Sequence, residues 1–222
     1  MDKFIPSFEG NLRNHIIAVP EAINECSGIR IFGKLIRSLI FTTDIAIICN
    51  NNADAVLSVY AFTPQAKITR SILSAADVPV FAGVGGGITR GARVINNARA
   101  AENAGAFGVV VNSPTENEVI ALLKKEVDIP VIATVISKNT DFEGRIEAGV
   151  DIFNVSAAAD TPDVVAHIRS LYPKMPIIAT GGPNEQSIRN VILAGANAVT
   201  YTPPKACELM QELMTKYRSQ NN

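Results

Sequence analysis

Short apolar runs alternate along the chain with stretches whose apolar residues recur every three or four positions. Three runs follow a proline: Val80-Phe81-Ala82-Gly83-Val84 after Pro79, Val131-Ile132-Ala133-Thr134-Val135 after Pro130, and Ile177-Ile178-Ala179-Thr180 after Pro176. Proline suits the first position of a strand, where no ladder hydrogen bond is lost. The intervening stretches are one-sided, as with Ile188, Val191 and Ile192 or Val164, Val165 and Ile168, a spacing that predicts helices lying on a sheet. Three of them end at Ala104-Gly105, Ala148-Gly149 and Ala194-Gly195, where glycine supplies the left-handed residue that terminates a helix. New runs begin at once: Phe107 to Val111, Asp151 to Val155 and Ala196 to Thr200.

Two earlier runs, Ser38 to Thr42 and Ala55 to Val59, bring the expected strands to eight. The strands read as apolar on both faces, as parallel strands do when helices cover one side and a barrel core fills the other. The pattern predicts a single-domain α/β fold, a (β/α)8 TIM barrel over 38–222 with an N-terminal extension, 1–37, packed on it. A flavodoxin-like open sheet is the alternative, because Asp44 to Asn51 allows only a short helix in the first unit. Within the extension, Gly28 to Lys34 reads as a hairpin capping the barrel bottom. Leu209, Met210, Leu213, Met214 and Tyr217 share one side of the last helix and are expected in the core.

Composition narrows the partners. The chain has 222 residues, 20 basic against 21 acidic, with no tryptophan and no basic tract, so the footprint of a nucleic-acid binder is missing. Charges, Gly and Pro interrupt every apolar stretch, and no membrane span is expected. The first residues, Met1 to Pro6, lack the layout of a secretory signal. A cytoplasmic protein is expected, and its three scattered cysteines, Cys26, Cys49 and Cys207, read as reduced thiols. His15 and His167 fall in the terminal segment and on an outer helix, so neither a metal constellation nor a hydrolytic triad is expected.

In a (β/α)8 barrel the chemistry sits on the loops after the strands. Two of these loops are glycine-rich: Gly85-Gly86-Gly87 after the third strand and Gly181-Gly182 after the seventh. Glycine lets backbone N–H groups close on an anion beside the positive end of the next helix, so both are candidate phosphate loops, with an anion expected at the helix after Gly181-Gly182. Val84 to Arg90 resembles the third-strand loop of the ribulose-phosphate-binding barrels, especially the histidine-biosynthesis isomerase and cyclase. Ala179-Thr180-Gly181-Gly182 resembles the seventh-strand loop of that group and of the 2-keto-3-deoxy-6-phosphogluconate aldolases and thiamine-phosphate synthases. The resemblance spans roughly residues 78–204 and implies a phosphate-binding barrel superfamily without a reaction. This chain lacks the strand-five aspartate of the histidine-pathway barrels and the strand-six lysine of the class I aldolases.

The remaining strand ends are mostly neutral. Tyr60, Asn112, Thr134, Asn154, Thr180 and Thr202 are candidates for orienting a substrate. Asp44 and Lys138, after the first and fifth strands on opposite sides of the barrel, are the candidate pair for proton transfer. The expected function is an enzyme of isomerase or lyase type acting on a small phosphorylated metabolite. A hydrolase of a small phosphorylated or carbonyl substrate and a non-catalytic phosphometabolite-binding barrel are the alternatives. No cofactor is expected, FMN being the alternative, and the expected partners are that ligand and further copies of the chain.

Overall fold

In the computed structural model the described residues are Phe4, residues 6–8, Gly10 and residues 16–220. His15 and most of the segment read for a secretory signal lie outside them.

An antiparallel hairpin comes first, β1 (Ile29–Ile31) and β2 (Lys34–Ile36). Eight parallel strands follow: β3 (Ser38–Phe41), β4 (Ala55–Ser58), β5 (Val80–Gly85), β6 (Gly108–Val111), β7 (Val131–Val135), β8 (Ile152–Val155), β9 (Ile177–Thr180) and β10 (Ala198–Tyr201). They close in the order β10-β3-β4-β5-β6-β7-β8-β9. The closure pairs Thr200 with Leu39, which excludes the open sheet. Between and after the strands run α1 (Ile45–Ile48), α2 (Ala66–Ala75), α3 (Ala92–Asn103), α4 (Asn117–Glu126), α5 (Phe142–Glu147), α6 (Thr161–Leu171), α7 (Glu185–Leu193) and α8 (Ala206–Gln220). The chain is a (β/α)8 barrel.

Period-two alternation explains the doubly apolar strands. Leu39, Leu57, Phe81, Val110, Ile132, Ile152, Ile178 and Ala198 fill the barrel interior. Their neighbours point outward; Val109, Val111, Val131 and Ala133, for example, join Val94, Ala98, Ile120 and Leu123 of the surrounding helices. Below, Ile29, Ile31 and Ile36 of the hairpin pack into the interior cluster. Phe32 meets Phe107 edge-on at 5.3 Å and Lys34 Nζ lies 5.5 Å from the same ring. The N-terminal end of the barrel is thereby plugged, and the opposite end carries the openings.

The structure corrects the expectation for α8. Met210, Leu213, Met214 and Tyr217 are 41–61% exposed, and among the described side chains of the helix only Ala206 and Leu209 are half-buried. Its apolar stripe is real but is not packed on the barrel, and Leu209 and Leu213 border a groove shared with Ile16 and Ile17. No described helix is long and apolar enough to cross a membrane.

Candidate functional site

The alternation that fills the core also composes the mouth. One step of two residues above each interior residue, β6, β7, β8, β9 and β10 present Asn112, Thr134, Asn154, Thr180 and Thr200. On the other side β3, β4 and β5 present Phe41, Val59 and Gly83 at the same level. The mouth therefore has a polar, neutral half and an apolar half. A cavity of about 310 Å³ lies among these residues, Gly83 excepted, together with Leu57, Ser156 and Thr202. A cleft of about 220 Å³, lined by Val59 to Phe62, Pro64, Gly83 and Gly85 to Thr89, shares Val59 and Asn112 with it.

Of the expected orienting residues, Asn112, Thr134, Asn154, Thr180 and Thr202 meet in the cavity and Tyr60 lines the cleft. Asn154 Nδ2 donates to Thr134 Oγ1 at 3.4 Å, which leaves Asn154 Oδ1 buried without a partner; Thr200 Oγ1 is also unpartnered. Buried polar atoms are normally satisfied, so this pair is open to a partner from outside the chain. Sequence reading passed over Thr200, although its place two residues after Ala198 and two before Thr202 was signal enough.

The arm after β5 follows from three glycines in conformations that other residues rarely adopt. Gly86 has φ +107°, and a Cβ there would lie 2.6 Å from Asn112 Cβ and 2.9 Å from Asn112 N. Only glycine lets the arm lie this close to the β6 loop. Gly86 N donates to Thr89 O at 2.9 Å, turning the chain back on itself. At the tip, Gly87 has φ +65° and open space around its α-carbon. Its carbonyl accepts from Arg90 Nε at 2.6 Å, while the amides of Gly87 and Ile88 donate to no other described residue. Behind the tip, the unpartnered hydroxyls of Thr89 and Thr115 border a void of about 10 Å³ beside Gly91, the residue capping α3, room for about one water.

The arm after β9 is built otherwise. A Cβ at Gly181 would meet Val199 Cγ1 at 2.7 Å and Ile188 Cγ1 at 2.9 Å, so that glycine serves helix-to-sheet packing. Gly182, at φ +75°, turns the chain into α7. There Asn184 and Ser187 form a reciprocal capping box, which occupies two of the amides an anion would use. Gly181 and Gly182 line neither the cleft nor the mouth cavity.

The proposed proton-transfer pair is not brought together. Asp44 is the N-cap of α1, its Oδ1 accepting from Ala46 N at 2.8 Å and Ile47 N at 3.4 Å. Lys138 leans outward to Asp163 at 3.2 Å, with both side chains largely in solvent. Each lies three residues beyond its strand, far enough for local capping and pairing to decide its direction. Neither lines the cleft or the cavity, where Tyr60 is the one titratable side chain. Its hydroxyl accepts from Gln65 N at 2.9 Å. No group of three or more metal-ligating His, Cys, Asp or Glu side chains occurs among the described residues.

No family model and no curated protein matches the chain. Solved structures do. Phosphonopyruvate hydrolase in complex with oxalate and Mg++ is 16% identical, with 83% of each chain covered and a TM-score of 0.64. Phosphoenolpyruvate phosphomutase from Streptomyces platensis subsp. rosaceus is 16% identical over 83% of this chain and 81% of that one, TM-score 0.59. Thiamine phosphate pyrophosphorylase from Pyrococcus furiosus is 17% identical over 74% of this chain and 84% of its own, TM-score 0.55. At these identities the likeness is one of fold: the chain has the barrel that these enzymes share, and no single family is singled out.

Proposed function

We propose that the chain binds a small phosphorylated metabolite at the open end of the barrel and acts on it as an isomerase- or lyase-type enzyme. One observation carries the reading: the unpaired amides of Gly87 and Ile88 at the edge of the cleft. Successive free amides in a glycine turn make an anion-binding concavity, and Arg90 on the Gly87 carbonyl adds positive charge beside it. The orphaned Asn154 Oδ1 and Thr200 Oγ1 would hold the body of the ligand. The solved neighbours whose names carry phosphoryl or phosphonyl substrates give support from outside the chain.

A second reading, a phosphometabolite-binding barrel without turnover, draws on the neutral lining of the mouth, where Tyr60 alone could move a proton. Hydrolysis aided by Mg²⁺ fits less well. Mg²⁺ sites are built on carboxylates, and neither opening is lined by one, so no step through a metal is derived. FMN would need donors from the loop after β10, where Pro203 and Pro204 have no N–H; the visible spectrum of the purified protein tests it directly. Self-association goes with this proposal, supported by the exposed stripe of α8 and read by sedimentation.

The deciding experiment is a thermal-stability screen against phosphate and sugar phosphates, followed by turnover assays on every hit. A ligand at 100 times its dissociation constant should add about 2.7 kcal/mol. No stabilisation by any phosphorylated compound would overturn the reading, and stabilisation without turnover would select the second.

A further inference from the structure

We infer that the ligand of this site carries a flat, unsaturated ring next to its phosphate, held in the cleft against Phe62. The inference rests on the phosphate reading above and adds the chemistry of the group beside the anion. Two large apolar side chains stand open to solvent on neighbouring strand-end loops, Phe62 at 77% and Ile88 at 82% exposure, and both line the same cleft. Aromatic pairs elsewhere bury Phe142 against Phe153 and set Phe32 against Phe107. Phe62 stacks on no other ring among the described residues.

Around Phe62 and Ile88 the cleft disfavours the obvious alternative, a polyol. Ala61, Pro64 and Val59 offer no side-chain hydrogen bond, the hydroxyl of Tyr60 accepts from Gln65 N and keeps a single proton to donate, and the amide of Asn112 stands at the edge shared with the mouth cavity. Sugar hydroxyls seated against Phe62 and Ile88 would lose water without gaining partners, at a cost for each. A planar ring has few groups to satisfy at its faces and gains from offset or edge-on packing with an aromatic side chain. The hydroxyls and amides needed for a polyol stand instead across the mouth, on β6 to β10. The site is thus two-part: ring and phosphate by Phe62 and the Gly87-Ile88 turn, and a polar portion reaching toward Asn154.

Calorimetric titration of the full chain with phenyl phosphate, glycerol 3-phosphate and neutral benzyl alcohol tests this. Phenyl phosphate should bind roughly 3- to 10-fold more tightly than glycerol 3-phosphate, the range of an aromatic contact. Phe62→Ala should abolish that preference while leaving glycerol 3-phosphate unchanged, and Phe62→Tyr should keep it. Equal affinity of the two phosphates in the unmodified chain, or a preference that survives Phe62→Ala, overturns the inference. If neither phosphate binds but benzyl alcohol does, and Phe62→Ala removes it, the ring stands and the phosphate reading falls. If nothing binds, both fall.

Discussion

The two glycine arms look alike in sequence and differ in what their glycines are for. After β9, Gly181 exists for Val199 and Ile188, and Gly182 for the turn into a helix whose Asn184 and Ser187 amides are tied into a capping box. After β5, Gly86 exists for contact with the β6 loop, and Gly87, at φ +65°, for the turn at the tip; no packing fills the space around it, and its amide and the next donate to no other described residue. A glycine that local packing explains needs no ligand. The glycine without such an explanation, at the edge of a cleft, is the one that points outward to function.

The sharpest break of this comparison is Gly86→Val. The substitution combines a left-handed backbone with a Cβ 2.6 Å from Asn112 Cβ and 2.9 Å from its backbone nitrogen. Overpacking and backbone strain each typically cost about 1–3 kcal/mol, so a loss of about 3 kcal/mol or more is expected in urea unfolding. A loss under about 1 kcal/mol would mean that the arm is free to move off β6. Next in size is Gly181→Val, with about 1–3 kcal/mol expected from overpacking alone, since the two closest atoms it meets belong to side chains and no φ strain is added. Phosphate-ester affinity should survive at temperatures where the variant is folded; a loss of affinity would reinstate the β9 arm as a binding element.

The finest separation comes from a matched pair. Gly87 and Gly182 have φ +65° and +75°, so alanine at either should cost about 1–2 kcal/mol of strain, and at Gly182 somewhat more, because its Cβ would meet Ser187 Oγ at 2.6 Å. Their ligand effects should part. Gly87→Ala disfavours the φ +65° turn that presents these amides and should weaken glycerol 3-phosphate binding by roughly tenfold, given about 1.5–3 kcal/mol for a hydrogen bond to a charged group. Gly182→Ala should leave it unchanged. Equal effects in titration calorimetry would erase the distinction between the arms.

Much of this architecture was legible in the chain. Proline-led apolar runs and Ala-Gly terminators place six of the barrel strands, and apolar runs alone the first two, within a residue or two of their observed limits, because strand alternation and helix termination are local. The mouth was legible for the same reason: Asn112, Thr134, Asn154 and Thr180 lie two residues above interior positions. What failed lies past the strand ends. The directions of Asp44 and Lys138 depend on α1 amides and on Asp163 of α6, and the free face of α8 depends on how the chain leaves β10. The difference between the glycine arms is likewise tertiary, since only the fold sets Asn112 against Gly86 and Val199 against Gly181.

The smallest expected effect concerns Asp44, and it tests whether a charged residue outside both openings has any part in the chemistry. Its carboxylate accepts from Ala46 N and Ile47 N, a cap whose removal costs about 0.5–2 kcal/mol. Asp44→Ala should therefore lower stability by about 1 kcal/mol. Asp44→Asn should recover nearly all of it, because asparagine caps as well as aspartate. A proton-transfer role demands the opposite order: asparagine would be as inactive as alanine, with general acid–base catalysis worth about 10²–10⁴-fold. Measured turnover on any substrate found in the screen should then be the same for both variants and the unmodified chain. A drop of 100-fold or more in Asp44→Asn at unchanged stability would return Asp44 to the active site and require α1 to open during the reaction.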